Sequence, residues 1–206
     1  MRVLIADDHP VVRQGVKQIL AEELELEQFG EARNAKEVLD NVSKKKWDIL
    51  ILDINLPDMN GLEILRQLKK VHPDLPVLVL TVFDEDQIAI RVLKAGASGF
   101  VTKETMPNEL IAAVKKIHSG GRYVSPSLAE KLVFNIYAED EKPVHHRLSN
   151  REYQVICLIA AGKSVKQIAE ELYLSIQTIR TYRTRILEKM EMGTDADLIH
   201  YAIQHR

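Results

Sequence analysis

The chain has 206 residues, 46% of them hydrophobic, with 28 lysines and arginines against 30 aspartates and glutamates, a formal net charge of −2. That balance excludes a global attraction to nucleic acid, so any such contact needs a local basic cluster, and the single cysteine, Cys157, excludes an internal disulfide. No apolar run approaches the ~18 residues of a membrane helix and Asp7-Asp8 come too early for a secretion signal, so a cytoplasmic chain with no membrane role is expected.

Val3-Leu4-Ile5 is a short apolar strand running into Asp7-Asp8, and after Pro10 the residues Val12, Val16, Ile19 and Leu20 recur at helical spacing. A weaker strand over 28–33 precedes a helix reaching Lys46. Trp47-Asp48-Ile49-Leu50-Ile51-Leu52-Asp53 then reads as a strand buried on both faces and stopped by a carboxylate, with Pro57 and Asn60-Gly61 marking the loop beyond it. Leu62, Leu65, Leu68 and Val71 mark one face of the next helix. Val77 to Thr81 is a further apolar run ending in a hydroxyl, and Ala89, Val92 and Leu93 predict a helix. Gly99-Phe100-Val101-Thr102 is a short strand delivering Lys103, and Leu110, Ile111, Val114 and Ile117 form a last helix before Gly120-Gly121.

Five strands alternating with five helices predict an α/β fold, a doubly wound five-stranded parallel sheet with helices on both faces. Asp7, Asp8, Asp53, Thr81 and Lys103 all fall just after strand ends, where such sheets place their ligands. A helix cap or a strand former explains each one singly; convergence on one rim explains them together. Three carboxylates that close repel and need a cation, and hard oxygen donors suit Mg²⁺. With a hydroxyl and an ammonium beside them they describe a phosphoryl-transfer site in which Asp53 attacks phosphorus. Asp8 and Asp53 are expected to hold the metal with the backbone carbonyl of Asn55, Asp7 acting through a water, while Lys103 and Thr81 meet phosphoryl oxygens.

The stretches Ala6-Asp7-Asp8-His9, Leu52-Asp53, Leu80-Thr81 and Val101-Thr102-Lys103 resemble the receiver domains of two-component response regulators, a flavodoxin-like fold, over residues 1–119. The resemblance implies that a sensor histidine kinase donates the phosphoryl group to Asp53 and that the chain is no enzyme beyond assisting its own modification. It also implies a switch in which Thr81 is drawn to the phosphate and an aromatic, here Phe100 where many relatives have tyrosine, turns inward. Asn55 and Phe83 are expected to border the path of hydrolytic water, with the bulk of Phe83 slowing it.

Residues 120–147 read as a linker with Pro126 and Pro143 and a helix over 128–137, and His145-His146, lacking companion ligands at matching spacing, reads as solvated tether. Over 148–206, Ser149 with Glu152 and Ser164 with Gln167 form capping boxes, Thr194 with Asp197 a weaker one, and Ser175 caps a further helix. Helices are expected over about 149–161, 164–172, 175–191 and 195–204, with Gly162 and Gly193 as stops. The tight junction between the second and third predicts a helix-turn-helix. In the third, Ile179, Ile186 and Met190 form the inward stripe. Gln177, Arg180, Thr181, Thr184 and Arg185 point away from it, and Arg180, Arg183, Arg185 and Lys189 against Glu188 supply local positive charge.

Leu148-Ser149-Asn150-Arg151-Glu152, Gly162-Lys163-Ser164, Thr178-Ile179-Arg180-Thr181-Tyr182 and Ile186-Leu187-Glu188-Lys189-Met190 resemble the LuxR-type helix-turn-helix of NarL/FixJ response regulators. That resemblance implies base-edge contacts by Arg180, Thr181 and Thr184, phosphate contacts by Lys163, Tyr182, Arg185 and Lys189, and a dimer face at Leu198, Tyr201 and Ala202. Arg183 replaces an apolar residue, and either reaches the DNA backbone or makes an internal pair. The expected function is a transcription factor that dimerises on double-stranded DNA when phosphorylated. A phosphatase working through Asp53 leaves the helix-turn-helix without purpose, while a protein-only adaptor, its C-terminal domain docking on another protein, is separated by whether Arg180→Ala loses DNA binding.

Overall fold

In the computed structural model, which describes residues 1–82, 86–126, 128–130 and 144–204, the apolar runs form β1 (Arg2–Ala6), β2 (Gln28–Ala32), β3 (Ile49–Asp53), β4 (Val77–Thr81) and β5 (Gly99–Thr102). All pair in parallel, in the order β2-β1-β3-β4-β5. The crossovers are α1 (Pro10–Glu23), α2 (Ala35–Lys44), α3 (Gly61–Val71), α4 (Asp86–Lys94) and α5 (Met106–His118). The expected α/β sheet is therefore present.

Successive strand residues point to opposite faces, so alternating residues sort the core into two layers. Val3, Ile5, Ile49, Ile51, Leu78 and Leu80 pack with Val16 and Leu20 of α1 and with Leu110, Val114 and Ile117 of α5. Leu4, Leu50, Leu52 and Val79, one residue out of phase, are equally buried. Burial on both faces is why β3 and β4 read as unbroken apolar runs.

The turn from β3 into α3 is laced by short-range bonds. The Gly61 N–H donates to the Ile54 carbonyl at 2.8 Å, and the Asn60 side chain accepts from the Leu62 N–H at 2.9 Å, capping α3. Asp58, in the same turn, accepts from the Ala35 and Lys36 N–H groups at 2.7 and 3.1 Å and so caps α2 from outside it. Gly61 is required by contact: a Cβ there would lie 2.6 Å from Ile54 Cα and 2.8 Å from the Asp53 carbonyl oxygen.

The chain divides into two compact units, Met1–Phe134 and Asn135–Arg206. The second holds a 3₁₀ turn, Val144–Arg147, followed by α6 (Asn150–Ala160), α7 (Val165–Glu171), α8 (Ile176–Met190) and α9 (Asp195–Gln204). Ser149 with Glu152 and Ser164 with Gln167 make full capping boxes, Ser175 accepts from the Thr178 N–H, and Asp197 closes back on Thr194. Gly162 does take positive φ, at 76°. Gly193 does not stop α8 as expected; the left-handed cap is Glu191, at φ 58°, and Tyr173 takes the same region at φ 53° after α7. Neither residue type advertises that conformation, which is why the sequence conceals it.

His145 is buried rather than solvated, 6% exposed. Its Nδ1 lies 2.8 Å from the Tyr201 hydroxyl and its ring sits between those of Tyr153 and Tyr201. Of the linker helix expected over 128–137, residues 128–130 are helical and 131–137 lie outside the described residues, as does Phe83. Among the described residues no helix is long and apolar enough to cross a membrane.

Gly61→Ala is expected to push the turn off β3 and destabilise the first unit by about 1–3 kcal/mol. Trp47, the sole tryptophan and 7% exposed within that unit, reports the shift in denaturant midpoint.

Candidate functional site

The strand register brings the acidic residues together. Ala6 pairs with Leu52 and Asp53 with Leu80, so the residues that follow β1 and end β3 and β4 line up along one edge of the sheet. Asp7, Asp53 and Thr81 are 1%, 2% and 0% exposed. Lys103, delivered by β5, places its Nζ 2.6 Å from Asp7 Oδ2 and 2.6 Å from Asp53 Oδ2. Its backbone N–H donates to the Thr81 carbonyl at 2.6 Å, which joins the ends of β4 and β5. The Asn55 N–H donates to Asp53 Oδ1 at 3.0 Å, leaving the carboxylate bonded at both oxygens.

Burial pushes the Asp53 carboxyl up to about 6, with the Asp7 charge adding to the rise and Lys103 and the Asn55 N–H opposing it. Burial alone would lower Lys103, but Asp53 and Asp7 outweigh it and hold the ammonium above the ordinary lysine value. Lys103 is shared between two carboxylates and Asp8 brings a third to the cluster, so carboxylates outnumber the ammonium. One ligand atom each from Asp7, Asp8, His9 and Asp53 lie within 4.8 Å of one another. The carboxylate oxygens are hard donors at the spacing a small divalent cation requires, so this donor set can hold a metal ion.

Two residues at the rim escaped the sequence reading. His9 donates its N–H to Asp7 Oδ1 at 2.8 Å, and its Nδ1 sits 2.8 Å from Asp8 Oδ1 and 3.2 Å from Asp7 Oδ1. Arg13, only 4% exposed, donates from Nη1 to the Asp7 carbonyl and from Nε to Glu31 Oε2, both at 2.8 Å, locking the turn after β1. The available signal was an arginine in phase with Val16 and Leu20 on the inward stripe of α1. Phe100 is buried at 5% exposure, its N–H donating to the Tyr123 carbonyl at 3.2 Å.

In the second unit α7 and α8 form the expected helix-turn-helix. Ile179, Ile186 and Met190 face inward and Gln177, Arg180, Thr181, Thr184 and Arg185 are exposed, with Tyr182 half-buried. Several expected DNA contacts already have internal partners. Lys189 Nζ is 2.6 Å from Glu152 Oε2, Lys163 pairs with Glu171, and Arg183 Nε lies 2.6 Å from Asp195 Oδ1. Arg183 thus makes the internal pair rather than reaching outward. Leu198 does not belong to an outer face: it is 0% exposed because it fills the unit's own core. Tyr201 is held by His145, Ala202 is half-buried, and the exposed large hydrophobic residue of α9 is Ile203, at 65%.

A parallel sheet with an acidic rim around Asp53 and Lys103, joined to a capped helix-turn-helix, defines a response regulator. The family model of the response regulator receiver domain matches residues 3–115, and that of the bacterial regulatory proteins of the luxR family matches 146–202. The chain is 37% identical over 205 residues to the response regulator GacA of Pseudomonas protegens, covering 100% of this chain and 96% of that one. It is 32% identical to the response regulator UvrY of Escherichia coli, covering 100% and 94%. The structure of RcsB from Salmonella enterica serovar Typhimurium bound to promoter rprA in the presence of a BeF₃⁻ phosphomimetic is similar at TM-score 0.67, with 30% identity over 98% of each chain. The chain belongs to the NarL/FixJ family of two-component response regulators, with a receiver domain and a LuxR-type helix-turn-helix domain.

Glu152 is 2% exposed, and although burial works against its charge, bonds from Lys189 and Ser149 hold its carboxyl below the usual glutamate range. A depressed folded pKa contributes stability above the unfolded value near 4.5 that is lost as pH falls through the folded value. Glu152→Gln is therefore expected to weaken amide-exchange protection across α6 by about 1.5–3 kcal/mol at pH 7. The gap from the parent chain should close as the pH is lowered below 4.5.

Proposed function

We propose that a sensor histidine kinase transfers a phosphoryl group to Asp53, and that the phosphorylated chain dimerises and binds specific double-stranded DNA to regulate transcription. The observation that carries this is the Asp53 carboxylate itself: buried, at the carboxyl end of the central strand, 2.6 Å from the Lys103 ammonium and beside Asp7. An Asp53 oxygen is the nucleophile and Lys103 pairs with a phosphoryl oxygen as charge develops. The Thr81 hydroxyl takes a second phosphoryl oxygen. Asp8, Asp53 and the Asn55 carbonyl would hold Mg²⁺, with Asp7 acting through a water; the ion supplies charge neutralisation on the phosphoryl oxygens. The chain is read as no enzyme toward other substrates, assisting only the making and breaking of its own aspartyl phosphate, and as acting in the cytoplasm.

The switch runs from Thr81 through β5 to Phe100, which fills an inward position without a phenol hydroxyl. Arg180 and Arg185 are exposed cations on the outer face of α8, suited to DNA, with Thr181, Thr184 and Tyr182 alongside them. Lys163 and Lys189 already pair with Glu171 and Glu152, so a phosphate shares or competes for each ammonium. On α9 the dimer face is carried by Ile203 with Ala202 and Tyr201 rather than by Leu198. The similar RcsB binds a promoter in the presence of a phosphomimetic, and two RcsB dimers bind two parallel DNAs, which supports DNA binding by a dimer here. Pairing two readers multiplies a weak single-domain affinity.

With acetyl phosphate and Mg²⁺, the parent chain is expected to bind its DNA at least about tenfold more tightly by fluorescence anisotropy. Asp53→Ala is expected to lose that response while keeping its unstimulated binding. Stimulation retained by the variant would refute Asp53 as the acceptor.

A further inference from the structure

The outer face of α8 holds fewer hydrogen-bond donors than its composition suggests. The Thr181 hydroxyl donates to the Gln177 carbonyl at 3.0 Å and the Thr184 hydroxyl to the Arg180 carbonyl at 3.1 Å. Each threonine has therefore committed its only side-chain proton to its own helix, and what it can still offer a base edge is a methyl group or a lone pair. Lys163, Arg183 and Lys189 are paired with Glu171, Asp195 and Glu152. Among the described residues, the exposed outward side chains of α8 that make no bond inside the unit and can donate to a base are Gln177, Arg180 and Arg185.

Position along the helix separates these three. Residues 177, 180, 181 and 184 fall on one stripe at helical spacing, with Arg185 one step round from it. Gln177 lies nearest the amino end of α8, capped by Ser175, and helix-turn-helix proteins use the amino-terminal residues of the recognition helix on base edges. A glutamine amide has a donor and an acceptor side by side, matching N7 and the N6 amino group of adenine; an arginine fork matches O6 and N7 of guanine.

Resting on the DNA-binding role proposed above, we propose that Gln177 is a specificity-determining residue that reads an adenine in each half-site, beside a guanine read by Arg180. Three residues span about 4.5 Å of helix, and base pairs are stacked about 3.4 Å apart, so the two bases lie within two base pairs of each other. The methyl groups of Thr181 and Thr184 are left to meet thymine methyls. Gln177 thereby joins the reading set, and the two threonines contribute apolar contacts rather than donated hydrogen bonds.

The test is selection from a random-sequence duplex library by the full chain treated with acetyl phosphate and Mg²⁺, repeated with Gln177→Ala, Gln177→Arg and Arg180→Ala. Gln177→Ala should lose about tenfold of discrimination at one A·T position per half-site and leave the other positions intact. Gln177→Arg should turn that position toward G·C, a gain that a structural role for the side chain would not produce. Arg180→Ala should relax a G·C position within two base pairs of it. An unchanged motif for both Gln177 variants overturns the assignment while leaving DNA reading in place. A parent chain that enriches no motif overturns the assignment and DNA reading together.

Discussion

One ammonium shared between two buried carboxylates joins the strand ends of the receiver. Lys103 reaches Asp7 and Asp53 at 2.6 Å each, and those residues come from β5, β1 and β3, so a single side chain ties three strand ends into one rim. Buried charges are tolerated only when paired, and stripping the partner from such a group costs about 3–5 kcal/mol. The arrangement is also incomplete. Asp7, Asp8 and Asp53 outnumber Lys103, and the Asp53 carboxyl is lifted to about 6, chiefly by burial, with Asp7 adding to the rise and Lys103 opposing it. A site with surplus negative charge, its one ammonium already shared between two carboxylates, can hold a metal ion.

The surrounding structure keeps that balance in place. Arg13 clamps the Asp7 carbonyl from α1, and Asp58 and Asn60 cap α2 and α3 from the turn that follows Asp53. Gly61 lets that turn pass against β3 where any Cβ would collide. The turn after Asp53 thus borders the starts of two helices, and the Lys103 N–H on the Thr81 carbonyl ties the ends of β4 and β5 beside it.

The helical unit explains how a chain of net charge −2 can present a nucleic-acid face without being basic overall. Glu152, Glu171 and Asp195 neutralise Lys189, Lys163 and Arg183, spending those cations on the orientation of α7 and α8. These pairs were not legible in the sequence, because their partners lie 37, 8 and 12 residues apart and no helical spacing links them. What was legible followed from short-range chemistry: alternating apolar runs gave the sheet, and serine with glutamate or glutamine three residues on gave the starts of α6 and α7. Strand ends carrying Asp7, Asp53, Thr81 and Lys103 announced the rim because parallel strands all finish on one side. The burial of Leu198 and of His145 was hidden, since both depend on how four helices pack rather than on any local pattern.

Chemical location of the phosphoryl group tests the central claim most directly. Borohydride reduction of the acetyl phosphate-treated chain, followed by peptide mass spectrometry, converts an acyl phosphate on aspartate into homoserine at the modified position. Homoserine is expected at position 53 and nowhere else. Homoserine at position 7 or 8 in place of 53, or none at 53, would contradict it.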